Sequence, residues 1–306
     1  MDLLNAASKR IYWPLCRAYA RHRGDRSADA LLRFMCSLEF CRAYGFWPSF
    51  LRPRRFSEKV WSRQLHDRDP RLTLVSDKWR VRDYVAKIIG TEFLIPLLWH
   101  GTRPEQIPFD ELPPQFVIKA NHGCAYNIIV QDKTLLDRKH VMDQLSTWLM
   151  ENFGQKRGLG IAWAYKNIIP HILVEQLLTE NGRVPLDYKF FCFSGRMEYF
   201  KIDFERFENH STRFFDRNLA PLSLVEIGLT MYEKGEIQIP PNLPEMVRIA
   251  EELARGFDFL RVDLYSVGSK IYFSELTAYP GGVSARFNNA KYDDSFGEMW
   301  KERDIC

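Results

Sequence analysis

Apolar residues recur at helical spacing along the first part of the chain. Ala30, Leu31, Phe34, Met35 and Leu38 share one face behind Ser27, a residue suited to an N-cap. Ser57-Glu58-Lys59 opens a second helix after Pro53, and Asp69-Pro70 breaks the pattern. A further helix is predicted from about Ser76 to Ile89, stopping at Gly90. Pro104, Pro108, Pro113 and Pro114 make Gly101–Pro114 an irregular connector and a natural subdomain boundary.

The period then shortens. Phe116–Lys119 reads as a strand that breaks into Asn121-His122-Gly123-Cys124, with Ile128–Val130 as its hairpin partner. Val141, Leu145, Trp148 and Leu149 mark a helix over 138–153, and a basic glycine-rich loop, Gly154–Gly160, follows. Ile172–Glu175 is a strand. Asp187–Phe193 and Met197–Asp203 flank Ser194-Gly195, and Arg261–Ser266 and Ile271–Leu276 flank Gly268-Ser269, each as strand, turn and strand. Residues 244–256 form a helix with Pro244 in its first turn and Gly256 at its end. No internal repeat is present. The sum is an α+β protein with antiparallel hairpins, expected to divide into a helical region 1–75, a subdomain 76–180 and a subdomain 181–306.

Composition narrows the class. With 306 residues, 46% of them hydrophobic and 27% charged, the chain can bury a large core and is neither collagen-like nor disordered. The longest charge-free runs, such as Phe93–Thr102 and Ala120–Gln131, fall short of the roughly 18–20 apolar residues that span a bilayer. The opening MDLLNAASKR lacks a basic segment followed by an apolar one, so no signal peptide is expected and the protein reads as cytoplasmic. Cys16, Cys36, Cys41, Cys124, Cys192 and Cys306 show no CxxC spacing, which suits reduced thiols better than disulfides or zinc. Net charge is only +4, yet residues 1–55 carry 11 Lys/Arg against 4 Asp/Glu. That basic front end, with Tyr12, Trp13, Tyr19 and Trp47, suits either a peripheral contact with an acidic membrane or glycan surface, or a merely solvated helical face. No nucleic-acid module accompanies it, so nucleic acid is not an expected partner.

Common catalytic signatures are missing: no GxxxxGK[ST], HExxH or GxSxG occurs. Asp67-Arg68-Asp69 has the DxD form used by nucleotide-sugar transferases but no apolar strand before it, and reads as a turn. The richest segment is RVDLYSVGSKIYFSELTAYPGG, residues 261–282. Arg261, Asp263 and Tyr265 share one strand face, as do Phe273, Glu275 and Thr277. An odd-numbered loop between the strands sets Asp263 opposite Glu275, whereas a two-residue loop turns them to opposite sides. Facing carboxylates repel unless a cation lies between them, and hard oxygen ligands suit Mg²⁺ with a substrate's phosphates. An ordinary solvated strand with an Arg–Asp pair reads equally well. Lys119, ending an apolar strand before Gly123, can present a cation and backbone N–H groups to phosphate. His122, Lys78, Glu175 and Asp187 are unremarkable singly.

Together, from about Asp77 to Trp300, these pieces resemble an ATP-grasp enzyme. The last hairpin is similar to that of D-alanine–D-alanine ligases, with Arg-x-Asp, Glu-x-Asn and Pro-Gly. Asp77-Lys78, Tyr188-Lys189-Phe-Phe and Ala278-Tyr-Pro-Gly-Gly resemble more closely the TupA-like (teichuronopeptide biosynthesis) branch, which is associated with bacterial surface polysaccharides. The resemblance implies an ATP-grasp fold with a helical N-terminal extension, using ATP and Mg²⁺. It places Lys78 and Lys119 on the nucleotide's phosphates with the Asn121–Asn127 turn, His122 and Gly123 included, closing over them, Lys189 among the nucleotide-binding residues, Glu175 at the adenosine and Asp187 at the ribose. Asp263 and Glu275 become metal ligands, with Thr277 standing where the family has Asn, and Arg261 faces the transferring phosphoryl group beside Lys119. Ser284 and Arg286, within Gly281–Asn289, would anchor a small-molecule or glycan acceptor. The chemistry implied is carboxylate–amine ligation through an acylphosphate, with the His122 turn or the Gly154–Gly160 loop as a lid. A kinase acting on a sugar hydroxyl and a nucleotide-sugar glycosyltransferase using Asp67 and Asp69 are the alternatives.

Overall fold

The computed structural model describes residues 26–156, 160–205, 209–235, 237–281 and 286–301. Helices α1 (Arg26–Tyr44), α2 (Phe56–His66) and α3 (Pro70–Ser76) come first. Asp69 does break the pattern, and its carboxylate then caps α3 by accepting the Arg71 N–H, with Pro70 in the first turn. Asp69 also pairs with Arg71, and Asp67 accepts the Asp69 N–H, so the DxD segment is a turn between helices. The expected helix from Ser76 starts later, as α4 (Val81–Ile89). Asp77 is the reason: its carboxylate accepts the N–H groups of Trp79 and Arg80 and holds residues 77–80 in a separate turn.

Two sheets follow, antiparallel except for one parallel edge pair in the larger. The smaller has the order β1-β4-β2-β3, from β1 (Leu97–Gly101), β2 (Phe116–Ala120), β3 (Asn127–Val130) and β4 (Ile172–Gln176). Strand β1 was not anticipated: it is a half-exposed edge, and its five residues abut the proline-rich connector. The larger sheet has the order β10-β9-β5-β6-β7-β8, from β5 (Asp187–Phe193), β6 (Arg196–Phe204), β7 (Ser211–Asp216), β8 (Thr230–Met231), β9 (Phe259–Val267) and β10 (Lys270–Thr277). Helix α5 (Arg138–Met150) covers the small sheet. A one-turn helix, α6 (Phe153–Lys156), stands at the start of the expected glycine-rich loop, whose residues 157–159 lie outside the described residues, and a second, α7 (Trp163–Lys166), follows that loop. Helix α8 (Leu243–Ala254) lies under the large sheet and α9 (Ala290–Met299) closes the described chain.

Three hydrophobic clusters hold this together. One fills the small sheet and α5 through Phe116, Ile118, Leu145, Trp148 and Val174. A second joins Leu32, Cys36, Phe40 and Trp61 around α1 and α2. The largest packs α8 against β5, β6 and β9, and takes in Phe56, Val60, Leu72 and Val75 as well. Helices α2 and α3 therefore share the large sheet's core, and residue 75 does not separate one core from another. Buried Arg63 fastens α2 to the sheet by donating to the Phe259 carbonyl at 2.9 Å and pairing with Asp258, while its guanidinium lies 4.3 Å over the Trp300 ring. Helix α9 rests on α2 at Gly297, where a Cβ would come within 2.1 Å of the Arg54 carbonyl oxygen. Only glycine permits that approach.

Cys41, Cys124 and Cys192 are free thiols, Cys36 is buried, and Cys16 and Cys306 lie outside the described residues. Among the described residues no helix is long and apolar enough to cross a membrane.

Candidate active site

The large sheet has one apolar face, where Val262, Leu264, Phe190, Phe200 and Ile202 meet α8. Its opposite face carries charge, because residues paired across strands point the same way. One row runs Glu275, Asp263, Lys189, Lys201 from β10 through β6; the next runs Tyr265, Asp187, Asp203, Thr212 from β9 to β7. Polar positions alternating with apolar ones thus gather six charged residues on a single surface.

The turn of the last hairpin holds only two residues, Gly268-Ser269, since Val267 pairs with Lys270. Regular pairing from that turn would set Ser274 opposite Asp263 and send Glu275 into the apolar face. A bulge between Phe273 and Glu275 absorbs one residue, so Glu275 pairs with Asp263 and Thr277 with Arg261. The odd-count arrangement is therefore realised by a different device from the one expected.

Cations occupy the space around these carboxylates. Arg261 clamps Asp263 with Nε–Oδ1 at 2.7 Å and Nη2–Oδ2 at 2.8 Å, and also donates to the Thr277 hydroxyl at 3.0 Å. Lys189 Nζ lies 2.8 Å from Asp263 Oδ2 and 3.7 Å from Asp203 Oδ2, and it bonds Asp187 as well. Lys78 Nζ stands 3.1 Å from Glu275 Oε1 and donates to the Gly123 carbonyl at 2.7 Å. Burial pushes the Asp263 and Glu275 carboxyls toward the neutral form. Arg261 and Lys189 outweigh it for Asp263, as Lys78 does for Glu275, so both titrate below the usual carboxylate range.

The small sheet supplies the other wall of a narrow cleft lined by Lys78, Arg82, Lys119, Leu173, Glu175, Phe273 and Ser274. Glu175 accepts from Arg82 at 2.8 Å and from Lys119 at 2.7 Å. Lys119 is held protonated against its burial by Glu175, Tyr265 and Glu275. Asn121 fixes the loop above the cleft: its amide donates to Asp77 at 2.8 Å and to the Ile169 carbonyl at 2.9 Å, and its oxygen accepts the His171 N–H at 2.7 Å. At Gly123 a Cβ would stand 2.7 Å from the Tyr126 ring, so the loop can lie this low only without a side chain.

Of the residues singled out in the sequence, Lys78, Lys119 and Glu175 line the cleft, and Glu275, bonded to Lys78, joins it to a network of Asp263, Arg261, Thr277, Lys189 and Asp187. His122 is adjacent, but its ring is buried: Nε2 lies 2.9 Å from the Trp148 carbonyl and Nδ1 3.2 Å from the Asn121 oxygen. Burial lowers its pKa, and any contact with a ligand falls to the backbone. Arg286 points elsewhere, donating to the Ala43 carbonyl at the end of α1. Ser284 lies outside the described residues. Sequence reasoning missed Arg82, Lys201, Asp203, His210 and Glu226. Arg82 stands four residues after Lys78, one helical turn on, and that spacing was its only signal. Lys201 pairs with Glu226 and lies 3.4 Å from Asp203 Oδ1, and His210 Nε2 is 3.4 Å from the same oxygen.

Asp263 and Glu275 form a pair of hard oxygen donors, fitted to a small divalent cation that keeps waters and takes substrate oxygens as its remaining ligands. Thr277 is committed to Arg261 and adds little. Among the described residues no group of three or more His, Cys, Asp or Glu is placed to hold a metal ion.

Two sheets meet at a cleft lined by lysines, an arginine and a carboxylate, with a further carboxylate pair beside it. The chain belongs to the TupA-like ATP-grasp family, whose model matches residues 58–301. No curated protein matches it. Among solved structures it is similar to D-alanine–D-alanine ligase from Bacillus anthracis complexed with ATP (15% identity, 74% of this chain and 65% of that one, TM-score 0.41). It is similar to D-alanine–D-alanine ligase from Helicobacter pylori (14%, 75% and 62%, TM-score 0.41) and to the ATP-grasp ligase PsnB complexed with minimal precursor (13%, 76% and 61%, TM-score 0.38). The chain spans less than two thirds of the length of each of these three. Family membership rests on the sequence match, to which such loose superpositions add nothing.

Proposed function

We propose that this protein is an ATP- and Mg²⁺-dependent carboxylate–amine ligase that forms an amide through an acylphosphate. Its proposed substrates are a uronic acid of a bacterial surface polysaccharide, or a precursor of one, and an amino compound. The observation that carries the reading is the bulged hairpin, which sets Glu275 beside Asp263 and Arg261 and within 3.1 Å of Lys78, a residue that lines the cleft with Lys119.

The steps follow from charge. An acceptor carboxylate must approach a γ-phosphate, and two anions repel. Lys78 and Lys119 project from the small-sheet side and would hold the phosphates. Arg261, locked in orientation by Asp263, would meet the charge that develops on the phosphoryl oxygens. Asp263 and Glu275 would hold Mg²⁺, which when bound would supply Lewis-acid stabilisation of that charge. Glu175, which accepts from Arg82 and Lys119, would take the adenosine end, and Asp187 the ribose. The carboxylate oxygen attacks the γ-phosphorus and ADP leaves. The amine then attacks the acyl carbon and expels phosphate, losing one proton. Residues 76–180 and 181–306 would act as the two walls of the grip.

The test is ADP and phosphate release with panels of uronic acids and amines. The reading expects both products, an acid-dependent hydroxamate when hydroxylamine is present, and turnover abolished by Asp263→Ala and Glu275→Ala with the fold retained. Release of AMP and pyrophosphate would refute it. A phosphorylated product stable to hydroxylamine would assign the site to a kinase instead.

A further inference from the structure

Few large apolar side chains lie open on this molecule, and several of them gather at one place. On α1, Leu31 and Phe34 sit one turn apart, 38% and 53% exposed. The following loop brings Trp47, 56% exposed, against Phe34 with 6.1 Å between ring centroids, and continues to Leu51 at 74%. Their neighbours Leu32, Met35, Phe40 and Phe50 are buried in the cluster beneath. The patch therefore stands on a rigid floor, and its outer side chains are not required by the core.

Charge says what it faces. Arg52 and Arg54 directly follow Leu51 in the chain and are exposed, whereas exposed Arg42 pairs with Glu39 and Arg33 is half-buried within α1. Arg52 and Arg54 have no acidic partner among the described ion pairs, whereas Arg55 is spent on Asp294. Residues 1–55 together hold seven more basic than acidic side chains, and the remainder of the chain is acidic on balance. Aromatic and leucine side chains followed in the chain by arginine suit the boundary of an anionic bilayer. The indole settles at headgroup depth, leucine and phenylalanine reach the acyl chains, and guanidinium groups pair with phosphates.

We propose that the face formed by Leu31, Phe34, Trp47 and Leu51, with Arg52 and Arg54, docks this protein on an anionic phospholipid surface. A second copy of the chain suits the face less well, because its arginines would then confront one another. The inference is independent of the ligase reading, since none of these residues lines the cleft.

Co-sedimentation of the full chain with vesicles tests it, using phosphatidylcholine alone and phosphatidylcholine with 40% phosphatidylglycerol. Expected is binding to the anionic vesicles at low salt, at least tenfold weaker to the neutral ones, and largely lost in 0.5 M NaCl. Phe34→Ser with Trp47→Ser should weaken binding by roughly tenfold or more, as burial of two aromatic side chains requires. Arg52→Gln with Arg54→Gln should weaken it severalfold and flatten its salt dependence. All these side chains are exposed, so circular dichroism should be unchanged. Equal binding to both vesicle types overturns the proposal. So does anionic binding that the Phe34/Trp47 variant leaves intact, which would assign the contact to other basic residues. Dimerisation without lipid that the same variant abolishes would give the face to a second copy.

Discussion

Replacing Lys189 with methionine isolates the electrostatic argument of the cleft. The side chains are similar in length, so Lys189→Met leaves little cavity and removes one buried positive charge. That charge is shared: Lys189 bonds Asp187, stands 2.8 Å from Asp263 and lies 3.7 Å from Asp203. Removing one partner of a buried ion pair costs about 3–5 kcal/mol, because the other is left desolvated and uncompensated. Asp263 keeps both bonds from Arg261, and Asp203 keeps Lys201 and His210, so most of the loss falls on Asp187. We expect about 3–5 kcal/mol in urea unfolding at pH 7.5, a large part of the ~5–15 kcal/mol that holds an ordinary domain folded. Adding Asp187→Asn should return about 1–3 kcal/mol, since a neutral amide costs less to bury than a carboxylate that has lost an ammonium partner. A loss below about 1 kcal/mol, or no recovery in the double variant, would mean that water reaches the cluster and that the cage is not a dry ion-pair network.

Other consequences are open to similarly direct measurement. Gly297→Ala should destabilise by about 2–4 kcal/mol, read as a lowered melting temperature, because a Cβ would collide with the Arg54 carbonyl and must part α9 from α2. Thr277→Asn should tighten Mn²⁺ binding, followed by its spin resonance with an ATP analogue present, by adding an amide oxygen beside Asp263 and Glu275; unchanged affinity would refute that position as a metal ligand. Asp203 is buried, which raises its pKa, but His210, Lys201 and Lys189 outweigh burial and hold it below the usual range. A carboxyl depressed in the folded state contributes stability above its unfolded pKa of about 3.9, and loses it as pH falls through the folded value. The urea midpoint should therefore fall as pH drops below about 4, and Asp203→Asn should make that fall shallower.

What the chain reveals unaided depends on how local each cause is. The strands of the two hairpins about Gly195 and Gly268 are legible because alternation and turn residues are both local. Strand β1 is not, since an edge strand gains its identity from β4, more than seventy residues away. Helix α4 was placed several residues early because Asp77 resembles the helix it precedes, and only its bonds to Trp79, Arg80 and Asn121 show that it belongs to a turn. The Arg261-Asp263 and Glu275-Thr277 pairs were visible as strand faces, but their register was not. No composition rule marks Phe273-Ser274-Glu275 as a bulge, and without it the same letters would place Glu275 against the core. Arg82 and the Lys201–Glu226 pair stayed hidden for the complementary reason, because their partners come from other elements.

The charged face also explains how such a cleft can exist before any ligand enters it. Lys189 directly opposes Lys201, and Asp187 directly opposes Asp203, arrangements that would each be repulsive alone. Stacking the two rows brings each ammonium beside carboxylates of the next, and Arg261 and Lys78 complete the pattern at Asp263 and Glu275. The site is thus neutralised from within, and under the proposed function a nucleotide exchanges partners there instead of finding bare charge. A triphosphate would take Lys119 from Glu175 and Lys78 from Glu275, which frees Glu275 for a divalent ion at the moment the phosphates arrive. Metal and nucleotide should then bind with positive coupling: Mg²⁺ alone must compete with Lys78 for Glu275, whereas Mg²⁺ with ATP meets a carboxylate already released.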